Sequence, residues 1–371
     1  MSKSTITVHA GSVGDSIYGG VVNPVYVSSA YDYDQVVRYP RYYNTPNQEA
    51  VVKKMAALEN GEDGIVFSSG MAAIMTSIFA LVKAGDHIIF QHDLYGGTHH
   101  AALHELGRYG ISYTMVDAAD PKGFEKAIRK ETRIIYIETP SNPLLKITDI
   151  SKVVTITRKH KIVSIIDNTF ASPVNQNPIS LGIDIVTHSA TKYIGGHSDL
   201  CAGVMISSRK LTERIRASAM HFGGNLDAQA CYLLERSLKT LVLRVNQQNA
   251  NAMALANFLS KENKVERVYY PGLKSHPLHT IAKKQMPGGY GGMLSFEVKN
   301  NVEKFLKKLQ LIKKAVSLGG VESTINQPVK TSHAKLSEEE RRAVGISNNL
   351  VRLSVGIEDV GDLMADIKQA L

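Results

Sequence analysis

Between residues 60 and 210 the chain alternates two hydrophobic rhythms. Short apolar, β-branched runs fall at 64–67, 87–91, 112–116, 133–138, 162–167, 184–187 and 204–207. Between them, 71–82, 98–109, 121–130 and 150–160 space their apolar residues three and four apart, the period of one helix face. Strands alternating with helices of this length predict βαβ units and a mostly parallel sheet covered on both faces. Ligands of such sheets gather at the carboxyl ends of the strands. From 227 to 261 the spacing of Leu233-Leu234, Leu238, Leu241, Leu243, Val245, Met253, Leu255 and Leu259 predicts one or two long helices. The rhythm then loosens into strands at 265–270, 293–298 and 350–355 and helices at 302–309 and 359–370, a smaller α+β unit. Residues 1–45 lack strong periodicity and carry Gly19-Gly20, Pro24 and Pro40, which suits either an arm crossing to another subunit or a surface loop. The expected organisation is an arm over 1–45, an α/β domain over 46–240 and a C-terminal domain over 241–371.

Composition narrows the class. A chain of 371 residues exceeds one typical core, so two domains are expected. With 43% hydrophobic and 21% charged residues it falls among soluble globular proteins. No apolar run reaches about 18 residues, so no membrane span is expected, and the start lacks a signal-peptide apolar core. The cysteines Cys201 and Cys231 both sit in apolar sequence. That pattern suits a reducing compartment, the cytoplasm, rather than a disulfide framework. The net charge of +9 is scattered through small pairs such as Lys307-Lys308 and Lys313-Lys314, with no nucleic-acid motif. Attraction of anionic small molecules is the expected consequence.

The candidate chemistry centres on Lys192, in Ser189-Ala190-Thr191-Lys192-Tyr193-Ile194-Gly195-Gly196-His197. A lysine at the mouth of a parallel sheet can form a Schiff base with an aldehyde cofactor, and Asp167, ending an apolar strand, can hold a pyridine nitrogen protonated. A carboxyl in that position costs desolvation energy unless it meets a cation or strong donors; capping the turn at Asn168-Thr169 is its alternative role. Ser69, Gly70 and Met71 open an Ala-rich helix, whose free N–H groups and dipole favour an anion. Ser189 and Thr191, two apart on an extended segment, point the same way, toward a shared phosphate or into their own turn. Tyr95, before Gly96-Gly97, offers an aromatic face to a planar cofactor or packs over its loop. Arg352, among Val351, Leu353 and Val355, suits a bidentate clamp on an α-carboxylate or an edge-strand salt bridge. His188 and His197 are read as supports of the lysine segment. His100 and His104 lie four apart without a third ligand nearby, so no metal is expected. Gly288–Gly292 precedes a strand rather than a helix and is a turn.

Taken in order, these stretches resemble the trans-sulfuration group of pyridoxal phosphate (PLP) enzymes over nearly the whole chain. The matching segments are Tyr39-Pro40-Arg41, Ser68-Ser69-Gly70-Met71, Leu94-Tyr95-Gly96-Gly97-Thr98, Glu138-Thr139-Pro140-Ser141-Asn142-Pro143, Asp167-Asn168-Thr169-Phe170, Ser189-Ala190-Thr191-Lys192-Tyr193, Ser317-Leu318-Gly319-Gly320-Val321-Glu322-Ser323 and Val351-Arg352-Leu353-Ser354. The resemblance implies fold type I, that of aspartate aminotransferase, in a homotetramer built from two tight dimers, with 46–240 as the PLP-binding domain. It implies Lys192 as the Schiff-base lysine, Asp167 as the pyridinium partner, Tyr95 as the stacking tyrosine and Asn142 beside the ring hydroxyl. Ser69, Gly70, Met71, Ser189 and Thr191 match the phosphate cradle, completed by Tyr39 and Arg41 of a second subunit. Arg352 and Ser323 match the substrate carboxylate site.

Three positions bear on the member of the group. Methionine γ-lyases usually carry a cysteine where this chain has Gly97, and bacterial β-lyases often an aromatic where it has Val321. Arg38 stands where γ-type members frequently have an acid, and suits a distal carboxylate such as that of O-succinylhomoserine. The expected activity is γ-elimination of cystathionine. γ-Replacement on O-succinyl- or O-acetylhomoserine and β-elimination of cystathionine stay open as alternatives. Intact Lys192, Asp167 and Arg352 argue against a catalytically silent relative kept for binding or regulation.

Overall fold

The computed structural model describes residues 1–299, 301–331, 334, 337–343 and 345–371. Strands β1 (Asp63–Phe67), β2 (His87–Gln91), β3 (Ser112–Val116), β4 (Thr132–Glu138), β5 (Val163–Asp167), β6 (Ile185–Ser189) and β7 (Gly203–Ser207) form one sheet, ordered β1-β7-β6-β5-β4-β2-β3. β3, β2, β4, β5 and β6 pair in parallel, and β7 runs antiparallel to both its neighbours, β6 and β1. Phe90, Tyr136, Ile165 and Ile185 pack one face against helix Gly70–Phe79. Ile135, Ile137, Ile166 and Val186 pack the other against helix Ile150–His160. Burial on both faces is why these strands read as unbroken apolar runs.

A second sheet holds β8 (Val265–Tyr269), β9 (Met293–Val298), β10 (Lys313–Lys314), β11 (Thr324–Asn326) and β12 (Leu350–Ser354), ordered β10-β11-β12-β9-β8. The long apolar stretch after 227 breaks at Lys239-Thr240 into helices Ala228–Leu238 and Leu241–Leu259. The second helix joins the two units: Leu241 and Val245 enter the core beneath β7, whereas Leu255 and Leu259 enter the core of the smaller sheet.

Helices Lys3–His9, Pro46–Glu59 and Arg209–Phe222 were not among the predicted elements. The first changes the picture of the arm, because it docks on its own chain. Lys3 Nζ donates to the carbonyls of Pro173 (2.5 Å) and Val174 (2.9 Å), and buried Lys54 donates to Thr7 O (2.8 Å). Residues 10–39 form no helix or strand and leave Ile17, Tyr18, Val21, Val27, Tyr33 and Val37 exposed. Among the described residues no helix is long and apolar enough to cross a membrane, and no group of three His, Cys, Asp or Glu side chains could hold a metal.

Candidate active site

The parallel strands end along one rim. β1 delivers Ser69 and Gly70 there, β4 delivers Glu138 and Asn142, β5 Asp167, and β6 Ser189 and Lys192. β7, running the other way, brings Cys201 just before its start. A cavity of about 560 Å³ opens on this rim, closed from the smaller unit by Ser317, Leu318 and Arg352.

Lys192 stands in a tight turn that its neighbours hold. Gly196 adopts φ +68°, and a Cβ there would lie 1.9 Å from Arg244 Nη1, so only glycine lets the guanidinium in. Buried Arg244 donates to the carbonyls of Tyr193 (2.7 Å), Ile194 (3.3 Å) and Ser237 (2.9 Å), fixing the backbone on either side of the turn. Lys192 Nζ reaches across the cavity to Ser317 Oγ at 2.7 Å. Burial and the nearby Arg352 cation lower its pKa, favouring the neutral amine.

Asp167 is buried, and one carboxyl oxygen accepts the Thr169 N–H at 2.9 Å. Glu138 occupies the adjacent register position on β4 and accepts the Tyr95 N–H at 2.7 Å. Burial raises the pKa of both, and the Asp167 charge raises that of Glu138 further. A buried carboxyl on a cavity wall, held away from its ordinary ionisation, fits a cationic ring nitrogen. Behind it, Glu59 Oε1 binds His188 Nε2 (2.6 Å) and Asn168 Nδ2 (2.9 Å), so His188 supports the segment as its position suggested.

At the anion end, Ser69 caps helix Gly70–Phe79 by accepting the Ala72 N–H at 3.1 Å. Gly70 packs so closely on β6 that a Cβ would lie 2.8 Å from Ser189 Cβ. The helix start and Ser189 therefore face one space. Thr191 lines it too, but its hydroxyl is engaged with Ala202, donating to the carbonyl (3.2 Å) and accepting from the N–H (3.0 Å). Tyr95 is 47% exposed at the mouth. Its ring leaves no room at Gly97, where a Cβ would lie 2.6 Å from it.

Arg352 donates to Asn142 Oδ1 at 2.8 Å and to Ser317 O at 3.3 Å, and its buried Nε has no partner among the described residues. An orphaned guanidinium N–H on a cavity wall fits an incoming carboxylate. Burial pushes its pKa down to about 10, well clear of neutrality.

Two residues expected at the cavity, Ser323 and Arg38, lie elsewhere, and the two expected from a second subunit, Tyr39 and Arg41, lie outside their own chain's cavity. Ser323 is not at the cavity. Its hydroxyl donates to Glu358 (2.9 Å) and accepts from the Gly356 N–H (2.9 Å), because the turn at Gly319-Gly320 leaves Ser317 at the wall and carries Ser323 past it. Arg38 is bound to Glu49 at 2.7 Å and to the Asn44 carbonyl, so its charge is already committed. Tyr39 and Arg41 also lie outside their own chain's cavity, with the Arg41 guanidinium 5.7 Å from the Tyr39 ring centroid. Sequence reasoning placed Ser317, Glu138 and Thr169 within matching segments but assigned them no role. Glu138 ends an apolar strand just as Asp167 does, and that signal was available. Ser317 lies on an aperiodic loop and carries no comparable local mark.

The sequence matches the family described as Cys/Met metabolism PLP-dependent enzyme over residues 4–371. It is 44% identical to a cystathionine gamma-lyase of Bacillus subtilis, covering 100% of this chain and 99% of that one. It is equally 44% identical to a cystathionine beta-lyase of Lactococcus lactis, with the same coverage. The solved structure of cystathionine gamma-lyase from Lactobacillus plantarum, complexed with L-serine, superposes with a TM-score of 0.96 at 40% identity, covering 100% of this chain and 98% of that one. On this match and this fold, the chain is an enzyme that uses pyridoxal 5′-phosphate and belongs to the family of Cys/Met metabolism PLP-dependent enzymes.

Proposed function

We propose that the enzyme cleaves cystathionine by γ-elimination, giving cysteine, 2-oxobutyrate and ammonia. Bound pyridoxal 5′-phosphate supplies an electrophilic carbon and a sink for the negative charge that develops at the substrate Cα. Asp167 keeps the ring nitrogen protonated, the start of helix Gly70–Phe79 and Ser189 hold the phosphate, and Tyr95 covers the ring. Arg352, oriented by Asn142, receives the substrate carboxylate through its unpaired Nε. Lys192 takes the Cα proton. A leaving group on Cγ also requires a proton to leave Cβ, and the same amine is the nearest base. Lys330, the other amine on the cavity wall, is ion-paired with Glu303.

One observation carries the reading: a lysine amine with a lowered pKa shares a cavity with a guanidinium whose buried Nε has no partner among the described residues. Because relatives of equal identity carry γ- and β-lyase names, the γ position rests on Val321, and Gly97 favours cystathionine over methionine as the substrate. A second reading, γ-replacement on O-succinylhomoserine, is supported by Lys330 in the cavity wall, whose ammonium also pairs with Glu303. Assembly as a homotetramer of two dimers is part of the proposal, supported by the exposed apolar arm. A cytoplasmic setting is supported by the two free cysteines.

Incubating the holoenzyme with cystathionine and identifying the keto acid tests this. 2-Oxobutyrate is the expected product, and pyruvate would mean β-cleavage. No keto acid, with turnover of an acylated homoserine and cysteine, would establish the second reading.

A further inference from the structure

The cavity does not end at Arg352. Val316, Asn326, Lys330 and Thr331 line it, and they also line a second groove of about 370 Å³ cut into the smaller unit. The groove has an apolar floor, which includes Leu306 and Ile325. Among the described residues its charged groups are the ammoniums of Lys307, Lys314 and Lys330 and the carboxylate of Glu303, which is ion-paired with Lys330.

We propose that this groove is a subsite for the far end of the substrate and selects a chain that ends in a carboxylate. The inference rests on the amino-acid chemistry proposed above and adds the substrate class. Its geometry comes from the smaller sheet. Asn326 on β11 is the cross-strand partner of Arg352 on β12, and such partners lie roughly 5 Å apart. An amino acid held by its α-carboxylate at Arg352 therefore has the groove one strand away, within reach of a four- to five-bond side chain.

Charge decides what the groove accepts. Among the described residues Lys330 is paired with Glu303, which leaves Lys307 and Lys314 as the excess positive charge over an apolar floor, a field that attracts an extended anion and gives a terminal methyl nothing to pair with. Arg38, the sequence candidate for this task, is bound to Glu49 and lines neither the cavity nor the groove. Two substrates share the required chemistry. O-Succinylhomoserine ends in a lone carboxylate, and cystathionine ends in a carboxylate beside an ammonium. Glu303 separates them, since a carboxylate next to Lys330 suits the ammonium of the second and repels the first.

The test is steady-state kinetics of the holoenzyme and of Lys314→Met/Lys330→Met with cystathionine, O-succinylhomoserine and O-acetylhomoserine. Compounds that are not turned over are measured as competitive inhibitors. KM, or the inhibition constant, should rise roughly fivefold or more for the two carboxylate-ended compounds. It should move less than about twofold for O-acetylhomoserine, with the visible cofactor spectrum unchanged. Glu303→Gln should weaken cystathionine alone and leave O-succinylhomoserine as tight or tighter. An equal rise for all three compounds, or no rise for any, overturns the subsite. If the wild type releases pyruvate from cystathionine, the γ-elimination reading fails while the KM pattern still judges the groove.

Discussion

Lys192 owes its lowered pKa first to burial and then to Arg352, and the two causes can be separated. Replacing Lys192 with alanine should abolish the visible cofactor–lysine absorbance and lower turnover by about 10²–10⁴-fold, the range for a positioned proton-transfer group. Arg352→Gln is more diagnostic. It removes a cation that disfavours the ammonium, so the Lys192 pKa should rise. Capture of pyridoxal phosphate by the apoprotein needs the neutral amine, and its half-maximal pH should move up. A stationary profile would leave burial as the sole cause. Glu138 gives a stability test of opposite chemistry. Its raised pKa means the native state holds a proton the unfolded chain has lost, so stability falls as pH rises from the ordinary carboxylate range toward the raised value. Glu138→Gln keeps an acceptor for the Tyr95 N–H and removes that penalty. The apoprotein variant should unfold at higher urea at pH 7, by on the order of 1 kcal/mol or more, with the gain vanishing near about pH 4. Equal differences at both pH values would place the effect in the hydrogen bond instead. Asp167 was legible because a lone acid closes an apolar run. Ser317 was not, because its role depends on a loop crossing from the other unit.

Elements with one buried stripe announced themselves, and those buried on several sides did not. Helix Ile150–His160 buries Ile150, Val153, Val154 and Ile156 and leaves a basic last turn, so its period stands out. Helix Pro46–Glu59 buries Asn47, Gln48, Lys54 and Glu59 as well as Val51, Met55 and Leu58, so no apolar face can be counted along it. Its start was signed all the same, by a capping box between Thr45 and Gln48 and by Pro46 at the first position. The last residue of this helix matters to the site. Glu59 holds Asn168, which follows Asp167, and His188, which precedes Ser189. One carboxylate thus ties down two strand ends that face the cofactor. Glu59→Ala should cost about 1–3 kcal/mol, the range for leaving a buried hydrogen-bonding group unsatisfied. Urea unfolding should show the loss, and Glu59→Gln should recover part of it by keeping an acceptor for Asn168. If alanine were tolerated without loss, the pair would be energetically neutral and the strand ends held by the sheet alone.

At the scale of the whole molecule, the arm is where a single chain leaves most unfinished. Helix Lys3–His9 anchors it at home, and the stretch beyond exposes large apolar side chains that a soluble monomer would rarely present together. Tyr39 and Arg41 lie past this stretch and away from their own cavity, whose phosphate end offers a helix start and Ser189 but no arginine. Periodicity could not show this, because residues 10–39 form no helix or strand and carry no internal repeat. If Arg41 serves the neighbour, two inactive variants should rescue each other. Arg41→Ala supplies an intact Lys192, and Lys192→Ala supplies an intact arm. In a mixed dimer one of the two cavities then receives both groups and the other receives neither. Co-expression with different affinity tags and isolation of the hybrid should restore activity to roughly half that of the wild type, with KM unchanged, because each competent cavity is complete. Each variant alone should stay inactive and yet assemble, as sedimentation would show. A hybrid as inactive as its parents would mean that every cavity is closed by its own chain, and the exposed arm would then need another occupant.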